Sequence, residues 1–198
     1  MTYPALADFL LQFNHFTPQQ LALIASKGTE KQYPVGAYFS EAGRVAREIG
    51  FLLEGIFRVC YFDKEGAEVT KYFLEERRFI VDLSSYQYQL PATEYVQAVT
   101  PARVLVFAAP DWQTLSQTIV GWPELEHNLI TRALLEKVSR VSPLGHEDAA
   151  TKYQSFLANY PHLANRVPLT QLASYLGITP QSLSRVRRNL GRAPETNA

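Results

Sequence analysis

Gln181, Arg185, Arg188 and Arg192 recur at spacings that put them on one side of a helix turning about 100° per residue. Leu183, Val186 and Leu190 fall on the other side, with Arg187 at its rim. An arginine fork can bond a guanine edge with two hydrogen bonds, a glutamine can do the same for adenine, and either can hold a backbone phosphate. A helix patterned this way rests on protein with one face and can offer the other to double-stranded DNA. The surrounding composition points the same way. From Ala149 to Pro194 the chain has Lys152, Arg166, Arg185, Arg187, Arg188 and Arg192 and no acid. That leaves thirteen bases and eighteen acids before Ala149, a net charge of −5. A neutral total therefore hides an acidic body and a basic tail, the asymmetry expected when one domain meets nucleic acid and the other does not.

The residues just before this helix supply what must position it. Leu172 and Leu176 give a first short helix an apolar stripe, Thr170 is placed to cap it, and Gly177 can stop it in a left-handed conformation. Thr179 is a suitable N-cap for the second helix, with Pro180 at its first position, and Ala173 is small where the two helices cross. The spacing predicts a helix-turn-helix whose second helix enters a major groove. The DNA-facing set is then Thr170, Gln171, Thr179, Gln181, Ser182, Arg185, Arg188 and Arg192.

A second concentration of chemistry lies between Arg78 and Tyr95. Asp82, Leu83, Ser84, Ser85, Tyr86, Tyr88, Ala92 and Thr93 mix one acid, hydroxyls and aromatic rings in a segment without strand or helix period. Loops held on a rigid scaffold are the usual place for a ligand, and a solvated connection with aromatic plugs is the other reading of the same residues. Catalysis and metal binding find less support. Cys60 is the single cysteine, and His15, His127, His146 and His162 are scattered without metal-ligand spacing. No nucleophile–base pair can be named, so neither an enzyme nor a cofactor is expected.

The rest of the chain reads in blocks. Residues 3–27 predict two helices, the second opened by a Thr17-Pro18-Gln19-Gln20 capping box. From Lys31 to Phe107 the period becomes two, punctuated by glycines. A hairpin is predicted from Ile56–Phe62 to Ala67–Phe73 around Asp63-Lys64-Glu65-Gly66, with further strands at 51–53, 95–99 and 103–107. A short helix is expected over 111–116 and a long one from Pro123 to Val141. The long helix carries Leu125 and Leu129 on one face and Ile130, Leu134 and Val138 on another. A helix apolar on two faces needs two partners, the second being the same helix of another subunit. Ser142-Pro143-Leu144-Gly145 marks a boundary. It separates residues 1–142 from a C-terminal domain over 146–198, whose first helix carries Tyr153, Phe156, Leu157 and Tyr160. No apolar run reaches membrane-spanning length and no leader pattern opens the chain, so a cytoplasmic protein without membrane contact is expected.

In this order the pieces resemble the catabolite activator and fumarate–nitrate regulator (Crp–Fnr) family. The resemblance rests on Gly36, Gly43 and Leu53-Glu54-Gly55-Ile56-Phe57-Arg58 in the strand region, and on Ala173, Gly177 and Thr179 through Val186 in the tail. It implies an α+β protein: N-terminal helices, an antiparallel cyclic-nucleotide-binding-like β-roll, a long dimerisation helix and a C-terminal helix-turn-helix. It also implies a homodimeric transcription regulator with a small effector in the roll. Residues 79–93 line up with the family's phosphate-binding cassette, but Val81, Asp82, Ala92 and Thr93 stand where that pattern has Gly-Glu and Arg-Ser. Without the cassette arginine a cyclic phosphate loses its bidentate partner, and Arg77 and Arg78 lie at the far end of the segment. An effector other than ordinary cyclic AMP is therefore expected, a neutral or weakly polar molecule. The family's iron–sulfur members need cysteines this chain lacks, and Gly191–Ala198 is too short for the wing that many members place after the recognition helix. The rival reading is a small-molecule-binding module whose C-terminal helices bind a protein partner instead of DNA.

Overall fold

The computed structural model describes residues 3–140 and 147–190. Two helices open the chain, α1 (Pro4–Leu10) and α2 (Pro18–Lys27). The expected capping box is present: Gln20 N–H donates to Thr17 Oγ1, and Thr17 N–H donates to Gln20 Oε1. Eight strands follow: β1 (Thr29–Tyr33), β2 (Tyr38–Ser40), β3 (Glu48–Glu54), β4 (Phe57–Phe62), β5 (Glu68–Leu74), β6 (Phe79–Ile80), β7 (Tyr95–Ala98) and β8 (Ala102–Ala108). They form two antiparallel sheets, in orders β1-β8-β3-β6 and β2-β7-β4-β5. Their facing sides bury Leu52, Phe57, Val59, Ile80, Val96 and Val104.

The β4–β5 hairpin sits where its turn residues predict, with Gly66 at positive φ. Gly55, between β3 and β4, has φ +100, and a Cβ there would lie 2.6 Å from the Pro101 carbonyl oxygen. Both features demand glycine at that corner.

The segment between β6 and β7 is more ordered than its sequence suggests. It forms a short helix, α3 (Leu83–Tyr88), capped by Asp82, whose carboxylate accepts the Ser85 N–H at 2.9 Å. Six residues are too few to show a helical period, which is why the pattern reads as a loop. After β8 come α4 (Ala109–Thr118) and the long α5 (Trp122–Arg140). Leu125 and Leu129 turn inward, joining Phe9, Phe51, Phe107, Trp112 and Trp122 in the core beneath the N-terminal helices. On the other face Leu134, Leu135 and Val138 are exposed and Ile130 is half-buried.

The C-terminal helices are α6 (Ala149–Asn159), α7 (Leu169–Leu176) and α8 (Pro180–Leu190). Asp148 caps α6 by accepting the N–H groups of Ala150 and Thr151. Thr170 does not cap α7: Pro168 holds the N-cap position and Thr170 is already helical, because the chain enters α7 one residue earlier than the capping pattern implies. This helical unit shares one core with the roll. Ile56, Phe73 and Val99 pack among Tyr153, Phe156, Tyr160, Tyr175 and Leu183. Ser142–Gly145, read as the boundary, lie outside the described residues.

Candidate DNA-binding face and effector cavity

Gly177 ends α7 in the left-handed conformation, φ 62°, and α8 starts three residues later. Thr179 Oγ1 accepts the Ser182 N–H at 3.1 Å, the N-cap bond that α8 needs. Ala173 is buried at the crossing, and Leu183, with Val186 and Leu190 partly buried, packs α8 against α6 and α7. That orientation leaves Gln181, Arg185 and Arg188 exposed together on the outer face.

The other residues of the expected DNA-facing set divide. Thr170 and Thr179 are exposed, but the Thr179 hydroxyl is engaged in the cap and donates to Ser182 Oγ at 3.0 Å. Gln171 is half-buried, with its amide oxygen buried and unbonded among the described residues. Part of its side chain is therefore turned from solvent, unlike Gln181, Arg185 and Arg188. Arg192 lies outside the described residues, as does the segment read as too short for a wing. Arg187, read as a rim residue, is held by the protein: Nη2 donates to the Ala164 carbonyl at 2.7 Å and the guanidinium lies over the Tyr153 ring. The exposed cations of α8 are thus Arg185 and Arg188.

Between the roll, α3 and α5 is a cavity of about 410 Å³. That is within the roughly 300–1,000 Å³ range of small-molecule sites. Asp82, Leu83, Ser84, Tyr86 and Thr93 line it, as the sequence suggests, together with Val81. Three expected pocket residues do not. Ser85 is buried in the scaffold: its hydroxyl accepts the Ala46 N–H at 2.8 Å and donates to the Leu90 carbonyl at 2.5 Å. Ala92 is buried beside the 43–44 turn, its N–H donating to the Arg44 carbonyl and its carbonyl accepting the Gly43 N–H, both at 2.8 Å. Tyr88 is 67% exposed at the end of α3 and points away. A six-residue helix has only one inward face, and Tyr86 and Leu83 occupy it.

The sequence reading also missed the cavity's cations. Arg78 does line it, and α5 adds Arg132 and Lys137 from the opposite wall. Each is paired. Arg132 Nε donates to Glu136 at 3.0 Å, Arg78 Nε lies in ion-pair contact with the same carboxylate at 3.1 Å, and Lys137 lies 3.7 Å from Glu94, which also pairs with Lys71. Asp82 and Glu126 complete the charged lining, so it holds three cations and four carboxylates. Glu126 accepts the Trp112 indole N–H at 2.6 Å. Burial, reinforced by the charge of Glu126, raises the Tyr86 phenol above its ordinary range and keeps its proton available for donation. No local pattern could have joined Arg78 to residues more than fifty positions away. The one available signal was that Arg132, Glu136 and Lys137 share a helix face with Leu129.

Among the described residues no helix is long and apolar enough to cross a membrane. None of their histidine, cysteine and carboxylate side chains form a cluster suited to a metal ion. No protein-family profile and no curated protein sequence matches the chain. Solved structures do. The c-di-GMP responsive global regulator CLP of Xanthomonas campestris superposes with a TM-score of 0.69 at 14% identity, over 88% of this chain and 92% of that one. FixK2 of Bradyrhizobium japonicum gives 0.63 at 15% identity, over 86% and 89%. The Thermus thermophilus catabolite activator protein gives 0.54 at 18% identity, over 92% and 86%. At these identities the likeness is one of fold. From the N-terminal helices to the helix-turn-helix, the chain has the architecture of the Crp–Fnr regulators.

Proposed function

We propose that the chain is a homodimeric, DNA-binding transcription regulator whose roll cavity receives a small effector other than cyclic AMP. The observation that carries the DNA-binding reading is the outer face of α8. Gln181, Arg185 and Arg188 stand exposed on a helix whose apolar side, capping and entry turn are all used to hold it in place. Phosphate-holding and base-reading side chains on a fixed helix are what a major groove requires. The shared fold with CLP, FixK2 and the catabolite activator protein supports the same reading. The exposed Leu134 and Val138 on α5, with Ile130 beside them, supply the stripe for a two-fold pairing that would set two recognition helices about one DNA turn apart.

The effector reading rests on the cavity. Its walls are mainly apolar and aromatic, its uncharged polar positions include Ser84, Tyr86, Gln87 and Thr93, and its four carboxylates face three lining cations, with Lys71 also on Glu94. A cyclic phosphate entering it would find each lining cation already paired with a carboxylate, whereas a neutral molecule with donors and acceptors would need none of them. The cavity is bounded by β5 through Tyr72 and Leu74 and by α5 through Leu129 to Lys137. An effector there therefore touches the strand that carries the helix-turn-helix and the helix proposed to dimerise. Differential contact with two arrangements of those elements is the means by which it would shift the population.

Selection of bound fragments from random duplex DNA by the purified full-length chain tests the proposal. A recovered inverted repeat with half-sites about one turn apart is the expected result. Recovery of no sequence preference at low salt would refute it.

A further inference from the structure

The cavity between the roll and α5 holds an anion of its own. Glu136 gives each carboxylate oxygen to a different guanidinium: Oε1 lies 3.0 Å from Nε of Arg132, and Oε2 lies 3.1 Å from Nε of Arg78. All three side chains line the cavity, at 23 to 34% exposure. Arg132 is also held from its other side, where Nη1 donates to Gln12 Oε1 at 2.9 Å and the guanidinium lies over the Phe9 and Phe13 rings at 5.2 and 5.3 Å. Two guanidiniums converging on one carboxylate form the arrangement that grips an anionic ligand. Here the protein fills it from within.

We propose that Glu136 sets the charge selectivity of this cavity: it occupies the two guanidiniums that a ligand phosphate or carboxylate would need, so the cavity admits neutral ligands and rejects anionic ones. This rests on reading the cavity as the effector site. The remaining charges fit the assignment. Glu94 holds Lys137 and Lys71, so the third cation of the lining is also matched by a carboxylate. Asp82 is engaged by the Ser85 N–H and Glu126 by the Trp112 indole, and neither neutralises an incoming anion. An anionic ligand must therefore displace Glu136 while sharing the same partly buried space with it, against like-charge repulsion. Glu136→Gln keeps the length and shape of the side chain and removes that charge, which leaves the lining with as many cations as carboxylates.

The test titrates the full chain with cyclic AMP and with adenosine, which shares the purine and ribose and lacks the phosphate, in a calorimeter. Wild type is expected to bind cyclic AMP no tighter than about millimolar. Glu136→Gln should bind it at least about tenfold tighter with adenosine binding unchanged, and adding Arg78→Gln should abolish the gain. Circular dichroism establishes that each variant is folded, and Glu136→Met, similar in length and uncharged, carries the same test if the glutamine variant misfolds. A folded variant with wild-type affinity for cyclic AMP overturns the role of Glu136 and leaves the neutral-effector reading standing. Equal gains for cyclic AMP and adenosine also overturn it, since room rather than charge would then govern entry. Micromolar binding of cyclic AMP by wild type overturns both.

Discussion

Ser174→Ala tests how the helix-turn-helix is fastened to the roll. β5 is an edge strand of its sheet, and an edge leaves backbone groups without strand partners. Ser174 on α7 meets two of them: its Oγ accepts the Thr70 N–H at 2.9 Å and donates to the Glu68 carbonyl at 3.1 Å. Thr70 is 2% exposed, so water cannot readily replace the lost partner. Leaving such groups unpaired costs about 1–3 kcal/mol. Alanine regains about 0.5 kcal/mol as the better helix former. The net loss is about 0.5–2.5 kcal/mol, and in a chain of this size each kcal/mol moves the midpoint by about 2–4 °C. The thermal midpoint followed by circular dichroism should therefore fall by about 1–10 °C, with a matching loss of urea midpoint. A variant as stable as wild type to within about 0.5 kcal/mol, the spread of an ordinary surface substitution, would refute the bridging role.

Four other outcomes are expected. Leu134→Glu places a charge in the proposed two-fold seam and should convert a dimer to a monomer by light scattering; a wild-type monomer at micromolar concentration would refute the seam. On a selected site, Arg185→Ala should cost about 1–3 kcal/mol and relax specificity, whereas Arg188→Ala should weaken all sequences alike and lower the salt slope by about one. Specific binding left intact by Arg185→Ala would show that the wrong face was assigned. Burial would raise the Glu76 carboxyl, but the bonds from Arg166 and from the Gly55 N–H outweigh it and hold the group below its ordinary value of 4.5. Its contribution to stability is thus present above that value and lost as pH falls through the lower folded value, so Glu76→Gln should flatten the acid limb of urea stability; parallel limbs would refute this. Burial pushes the Cys60 thiol up to about 11 despite the nearby Arg58 guanidinium. Iodoacetamide near neutral pH should therefore label Cys60 far more slowly in the native chain than in urea, and equal rates would refute it.

What the sequence disclosed was whatever local pattern encodes. The Thr17–Gln20 capping box, the hairpin around Gly66, the two faces of α5 and the left-handed stop at Gly177 depend on neighbours a few residues away, and each appears where its pattern placed it. α3 escaped because its one strong signal, a capping Asp82, introduces a helix too short for periodicity. Ser85 and Ala92 resemble ligand contacts in sequence because their types or cassette positions suit one. Their partners in the 43–46 segment lie some forty to fifty residues earlier in sequence, and no local pattern announces that pairing.

The cavity's electrostatics show the same limit in its sharpest form. In sequence, Arg78 is the far end of a loop, and Arg132, Glu136 and Lys137 are ordinary polar residues on a helix with two apolar faces. The i, i+4 pair Arg132–Glu136 reads as a solvated surface bridge worth a few tenths of a kcal/mol. The fold brings Arg78 onto the same carboxylate and closes the space around it, and a surface bridge becomes part of the charge lining of the proposed effector cavity. Arguing from the cassette alone, the alanine at residue 92 leaves a cyclic phosphate without its bidentate cation. The structure replaces that with cations present and already taken. Both descriptions disfavour a cyclic phosphate, but they differ in what would restore one. On the first, an arginine must be added at residue 92, whose side chain is buried and does not reach the cavity. On the second, a single carboxylate need only be removed.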